Sequence, residues 1–174
     1  MATSRSTETQ WLTDQERETW VRLVAVTELL PGLLDSQLRR DAQLTHFEYF
    51  VLAMLSEAKD LTLRMTSLAN LTSATLPRLS HVVRRLEDKG LVRRTPCPED
   101  KRASNAVLTE AGQARIRDAA PGHVTNVREN VFDALTAEQV EQLHDIADAL
   151  LVKLDPHGRL TALYAPDTTE PEAL

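Results

Sequence analysis

Between residues 75 and 102 the chain sets out the donors needed to grip a polyanion. His81 and Arg84, with Arg78 and Arg85 beside them, recur on one side of a segment. Its other side carries Leu76, Leu79, Val82, Val83 and Leu86, the spacing of an amphipathic helix. Pro77 and Ser80 lie on the donor-bearing side, where Asp88 is the only acid. A guanidinium pairs with guanine O6 and N7 or with phosphate, and an imidazole can donate to a base edge. Further on, Arg94, Lys101 and Arg102 form a second basic set, with Glu99 and Asp100 among them. The bland reading of each group is a solvated helix face or a surface ion pair worth well under ~1 kcal/mol. Coincidence of both sets in one short stretch favours nucleic-acid contact. Catalysis has no such support. The five histidines (His46, His81, His123, His144, His157) show no metal-ligand spacing, and there is no phosphate loop and no Gly-x-Ser-x-Gly elbow. No enzyme activity, metal or cofactor is expected.

The elements that must position these donors can be read locally. Thr75 caps a helix, Pro77 sits in its first turn where no helical bond is lost, and Gly90 ends it. Leu91, Val92, Arg93, Arg94 and Thr95 are strand-like, residues 96–103 turn-like, and Ala106, Val107 and Leu108 resume an apolar run. A helix followed by such a hairpin is a winged helix. From residue 62 to 108 there are nine basic side chains and four acidic ones, a segment of +5 in a chain of −6. A basic module inside an acidic body is an electrostatic footprint for a phosphate backbone.

These residues resemble the multiple antibiotic resistance regulator (MarR) family of winged helix-turn-helix repressors. The resemblance is carried by Arg84-Arg85-Leu86-Glu87-Asp88-Lys89-Gly90-Leu91-Val92, by Asp100-Lys101-Arg102, and by Val107-Leu108-Thr109-Glu110-Ala111-Gly112. It extends less sharply over residues 12–154. It implies a mainly α fold with long N- and C-terminal helices that pair two chains, an operator in duplex DNA as partner, and a small, often aromatic or phenolic, effector. Arg102 maps onto the family's wing arginine, which enters the minor groove, and Asp100 onto the acid that holds the wing in shape. The family often has arginine where this chain has His81, a residue of shorter reach.

The remaining chain supplies the frame. Residues 1–10 are polar and expected to be flexible. Thr13 with Glu16 is a capping box that opens a long first helix through Trp20, Leu23 and Leu30, broken or kinked at Pro31-Gly32. Thr45 with Glu48 opens a second helix, its core face predicted as Phe47, Phe50, Val51, Met54, Leu55 and Ala58. Leu61, Thr62 and Leu63 are expected to pair with the wing, and residues 66–71 to form the first helix of a helix-turn-helix. A helix capped by Thr109 is expected to bend or split at Pro121-Gly122, and Thr136 with Gln139 to open the last one. The domain reading is therefore a MarR-like region over 11–155, with the winged module at 44–109, dimerisation helices at 11–43 and 110–155, and a disordered tail at 156–174.

The DNA-contact candidates are Thr75, Pro77, Arg78, Ser80, His81, Arg84, Arg85, Arg94, Lys101 and Arg102, with Arg78 first choice for a base contact and Arg84 and Arg85 for phosphate. Trp20, His46, Tyr49 and Met54 are effector candidates, each equally plausible as core. Cys97 is the only cysteine, so no internal disulfide forms. Neighbouring Arg93, Arg94 and Lys101 would favour its thiolate, which leaves a wing redox sensor as an alternative function. A winged helix used only for protein contacts is another alternative, for which a basic face would be unnecessary. No apolar run approaches the length of a membrane span and no signal segment opens the chain, so a cytoplasmic homodimer is expected.

Overall fold

The computed structural model describes residues 9–98, 100, 102–158 and 160. Lys101, the expected N-terminal flexible stretch up to residue 8, and nearly all of the expected tail lie outside them. Helix makes up 71% of the structure, with one small antiparallel sheet, so the class is mainly α and the winged helix is present. Among the described residues no helix is long and apolar enough to cross a membrane.

The chain divides into two compact units, one ending at Leu33 and the other beginning at Leu34. The first holds the start of α1 (Asp14–Ala42). Thr13 N–H donates to Glu16 Oε2 at 2.7 Å and Glu16 N–H to Thr13 Oγ1 at 3.2 Å, closing the capping box. Trp20, Val21, Val26 and Leu29 are all exposed on this stretch. As expected, the first helix is a long one, and α1 runs through Pro31 as a single element. A proline interrupts only the bond to the carbonyl four residues back, and the bonds on either side can carry the helix on.

The second unit is built on α2 (His46–Glu57), α3 (Met65–Leu71) and α4 (Leu76–Asp88). Leu79, Val82, Val83 and Leu86 of α4 are buried against Val51, Leu52 and Leu55 of α2, Leu68 of α3 and Leu44. Each such side chain contributes about 2 kcal/mol of burial. The predicted stripe was one residue too long, because Leu76 is 43% exposed. At the first helical position it precedes the point where α4 meets the core. On α2 the buried positions are Glu48, Val51, Leu52 and Leu55, while Phe47 and Met54 are only partly buried against the same core.

A three-stranded sheet in the order β1-β3-β2 follows, with β1 (Thr62–Arg64), β2 (Val92–Pro96) and β3 (Ser104–Leu108). Thr62 faces Val107 and Arg64 faces Asn105, so the expected strand does pair with the wing, one residue later than read. Helix α5 (Glu110–Asn130) passes through Pro121 as one element rather than two. The last helix, α6 (Ala137–Leu154), opens on the Thr136–Gln139 box and buries none of its residues, with Ile146, Leu150 and Val152 exposed.

The wing's exit is clamped to the end of α4. Gly90, at φ 72, takes the left-handed turn that lets its N–H reach Glu87 O at 2.8 Å and lets Leu91 N–H reach Leu86 O at 2.9 Å. Thr109 N–H then donates to Leu91 O at 3.1 Å and Thr109 Oγ1 to Gly90 O at 2.8 Å. Gly112 is packed against the same carbonyl: a Cβ there would lie 2.2 Å from Leu91 O and 2.6 Å from Leu108 Cδ1. Gly112→Ala should therefore destabilise the fold by about 1–3 kcal/mol, the usual cost of overpacking. Urea denaturation followed by circular dichroism checks it, and an unchanged midpoint would mean that the wing exit is not held by this contact.

Candidate nucleic-acid interface

Helix α4 begins as a built feature. Thr75 Oγ1 accepts the Arg78 N–H at 3.4 Å, and Pro77 occupies the first turn where its missing donor costs nothing. With the apolar side anchored in the core, Pro77, His81, Arg84 and Asp88 are left exposed along the opposite face. Two flanks border that face, and each is braced by a different part of the second unit.

The first flank carries Arg78, Arg85 and Lys89, at i, i+7 and i+11, and it faces the first turn of α2. The Arg78 guanidinium lies 4.6 Å from the centre of the Phe47 ring, a cation–π arrangement. Arg85 Nη2 donates to Glu48 Oε1 at 2.5 Å. Lys89 Nζ donates to Glu48 Oε2 and to Gln43 O, both at 3.0 Å. Glu48 is 0% exposed. Burial pushes its carboxyl pKa up, but the Thr45 N–H bond and the Lys89 and Arg85 pairings outweigh that and hold it below the ordinary glutamate value.

The second flank is braced by the wing. Arg94 N–H donates to Glu87 Oε1 at 2.8 Å, Arg94 Nε lies 3.2 Å from Glu87 Oε2, and Arg94 Nη2 donates to Ser80 O at 2.6 Å. Near the wing tip, Asp100 Oδ1 accepts the Arg102 N–H at 3.0 Å and Asp100 Oδ2 accepts Arg64 Nη2 at 2.9 Å, which ties the tip back to β1. Between this wing and the start of α4 lies a cleft of about 400 Å³, with Arg64, Leu76, Ser80 and Arg102 on its walls.

The structure therefore sorts the sequence candidates. Thr75 is a cap at the edge of the face, and Ser80 is half-buried with its carbonyl held by Arg94. Arg85 and Arg94 are each paired with a carboxylate within the fold, Arg85 with Glu48 and Arg94 with Glu87. Among the described residues no ion pair holds Arg78, Arg84 or Arg102, and all three are exposed. Cys97 is 7% exposed, with its N–H donating to Ala103 O at 3.0 Å. A buried thiol is shielded from oxidants, so the redox reading loses the exposure it requires.

Of the effector candidates, His46 and Tyr49 come together on α2 with His123 of α5. The Tyr49 and His123 ring centres are 4.5 Å apart, and those of His46 and His123 are 6.3 Å apart. Among the described residues His123 Nδ1 is buried without a hydrogen-bond partner, and His46 N–H donates to Asp35 Oδ1 at 2.9 Å. Met54 packs against the core, and Trp20 is exposed on the first part of α1. Sequence reasoning missed four residues that shape these sites. Glu48 was read only as a capping-box acid, Glu87 and Arg64 only as charges, and His123 only as a scattered histidine. Spacing carried no signal of their partners.

Comparison with known proteins follows the same geometry. A model of the MarR family matches residues 44–104. Among solved structures, the chain is similar to Sco3205, a MarR family transcriptional regulator from Streptomyces coelicolor in complex with DNA, at 44% identity over 87% of this chain and 95% of that one, with a TM-score of 0.83. It is also similar to AbsC, a MarR family transcriptional regulator from Streptomyces coelicolor, at 37% identity over 86% of this chain and 100% of that one, with a TM-score of 0.80. A curated relative, the HTH-type transcriptional repressor YetL of Bacillus subtilis (strain 168), is 29% identical over 154 residues, 81% of this chain and 92% of that protein.

The buried ionisable groups predict how stability depends on pH. Burial lowers the pKa of His46, against the opposing pull of Asp35, and that of His123, with help from His46. The unfolded chain thus binds protons first, and stability is lost as pH falls below the ordinary 6.5. Glu48 adds a second window: its contribution is present above 4.5 and is lost as pH falls through the lower folded value. Urea midpoints measured between about pH 7.5 and 5.5 should drop for the parent and drop less for His123→Gln. An equal drop in both would assign the effect to other groups.

Proposed function

This chain belongs to the MarR family of transcriptional regulators, and on that basis we propose that it is a homodimeric repressor of a pseudopalindromic operator, released by a small aromatic or phenolic ligand. One observation carries the DNA reading. The exposed face of α4 is flanked by two internal braces, so its cations are presented by a rigid element, as a helix entering a major groove requires.

Within that reading Arg78 contacts a base. It lies near the helix start, and stacking on Phe47 occupies the face of its guanidinium while the N–H edge stays available for guanine O6 and N7. His81 donates to a neighbouring base or phosphate, Pro77 packs against the groove, and Arg84 meets phosphate. Arg102 reaches from the wing into the minor groove, where a narrow A·T-rich segment concentrates negative potential. Lys101, outside the described residues, is proposed to add a phosphate contact beside it.

Homodimerisation is supported by the exposed apolar side chains of two helices. Val21, Val26 and Leu29 on α1, and Ile146, Leu150 and Val152 on α6, are all more than half exposed except Leu150 at 42%. Burial of such faces against a second copy would remove them from water and hold two recognition helices one DNA turn apart. The effector is proposed to bind against the His46, Tyr49 and His123 rings, which lie together on α2 and α5. It releases DNA only through its different affinity for the two arrangements of the paired modules.

Selection of bound sequences from random duplex DNA tests the function directly: recovery of an inverted repeat supports it, and no enrichment overturns it. In sedimentation at micromolar concentration the full chain should run as a dimer, and a monomer would sink the two-half-site reading. Arg78→Ala should cost about 1–3 kcal/mol on the selected operator and relax discrimination at one position of each half-site. Arg102→Ala should weaken binding in a way that follows flanking A·T content. Should Arg102→Ala bind flank-swapped operators as tightly as the parent, the wing is not a minor-groove probe.

A further inference from the structure

Three capping boxes in this chain provide an internal comparison. In two of them the side chain at the third helical position, Glu16 or Gln139, is exposed and bonds back to the cap N–H at 2.7 Å or 2.9 Å. A box needs no more than that. In the third, Glu48 makes the same bond to Thr45 N–H at 2.8 Å, yet it is fully buried and also takes Arg85 and Lys89 from a helix about forty residues further along the chain. The burial and the two extra cations go beyond capping.

Stability alone does not account for them. A buried ion pair gives back in desolvation much of what it gains in attraction, and an apolar substitute is often as stable. What the arrangement does provide is a directional link from α2 to the last two turns of α4. Both oxygens are used, one by Arg85 and the other by Lys89 and Thr45, so the helix is fixed in rotation as well as in position. The link also has an electrostatic effect. Arg85 and Lys89 keep 42% and 37% of their side chains exposed beside the α4 face. Unpaired, they would attract any phosphate and add affinity that carries no sequence information.

We propose that Glu48 is a positioning residue for sequence discrimination: its buried carboxylate orients the recognition helix and withholds Arg85 and Lys89 from the DNA backbone. Specific binding then depends on the exposed face, and the non-specific term that competes with it is reduced. This rests on the DNA-binding reading above and concerns the ratio of operator to random affinity.

The experiment uses the full chain, the operator recovered by selection and a random-sequence duplex, with equilibrium affinities measured across a salt series. Glu48→Gln keeps the shape and removes the charge. It should bind random duplex more tightly than the parent, steepen the slope of log affinity against log salt by about one unit, and lower the operator-to-random ratio about tenfold. A merely structural glutamate would change the melting midpoint and leave slope and ratio alone, so that result in folded Glu48→Gln overturns the inference. If circular dichroism finds Glu48→Gln unfolded, Arg85→Gln decides. Its loss should lower the ratio with the slope unchanged, because a guanidinium held on Glu48 contacts no phosphate; a slope shallower by about one unit makes Arg85 a phosphate contact and overturns the proposal. A parent that binds neither duplex overturns the functional reading and this one together, whereas a parent that discriminates while the variants behave like it overturns this one alone.

Discussion

The carboxylate of Glu48 is fully buried, and much of the second unit follows from how that charge is satisfied. An isolated carboxylate in such a place would cost several kcal/mol, so its partners must be fixed before it can be buried. One partner is local, the Thr45 N–H of its own helix. The other two, Arg85 and Lys89, come from α4, and to reach them α4 must lie with one flank against the first turn of α2. That requirement settles which side of α4 can face outward. Its apolar stripe alone, four buried side chains wide, would allow some rotation about the helix axis; the ion pairs and the Arg78–Phe47 stack do not.

The wing answers the same need from the other side. A two-stranded hairpin is marginal by itself, and this one is secured at three places. Its exit is clamped by Thr109 and the close approach of Gly112 to Leu91. Its first strand is braced to α4 through Arg94 and Glu87, and its tip is tied to β1 through Asp100 and Arg64. Arg94 and Arg85 thus do equivalent work on opposite flanks. Each spends a guanidinium on an internal acid so that the face between them is held still.

These pairings change how the charge of the module should be counted. The nine basic side chains of residues 62–108 are not all free cations, because Arg64, Arg85, Lys89 and Arg94 are paired within the fold. Among the described residues Arg78, Arg84, Arg93 and Arg102 remain as exposed donors on α4 and the wing. The effector candidates stand close to the same brace. His46 is one residue from the Thr45 cap and two from Glu48, it is anchored to Asp35, and its ring faces His123 of α5. A displacement there would be felt first at the turn of α2 that holds α4.

Sequence alone determined the features that depend on near neighbours. Helix starts at Thr13, Thr45, Thr75, Thr109 and Thr136, the glycine stop after α4, the hairpin and the apolar stripe all arise from contacts within a few residues, and periodicity and capping chemistry record them. It left a break or a bend open at the two internal prolines, because a helix-breaking preference is weighed against neighbouring hydrogen bonds that no local rule counts. The tertiary structure decided which charges are free. Glu48 and Arg85 are 37 positions apart, Glu48 and Lys89 41, and Arg64 and Asp100 36. Nothing in the type or spacing of an arginine distinguishes one that will meet a phosphate from one that will meet a buried acid. That distinction appears only when docking of α2, α4 and the wing brings distant carboxylates within bonding distance and removes the water that would otherwise screen them.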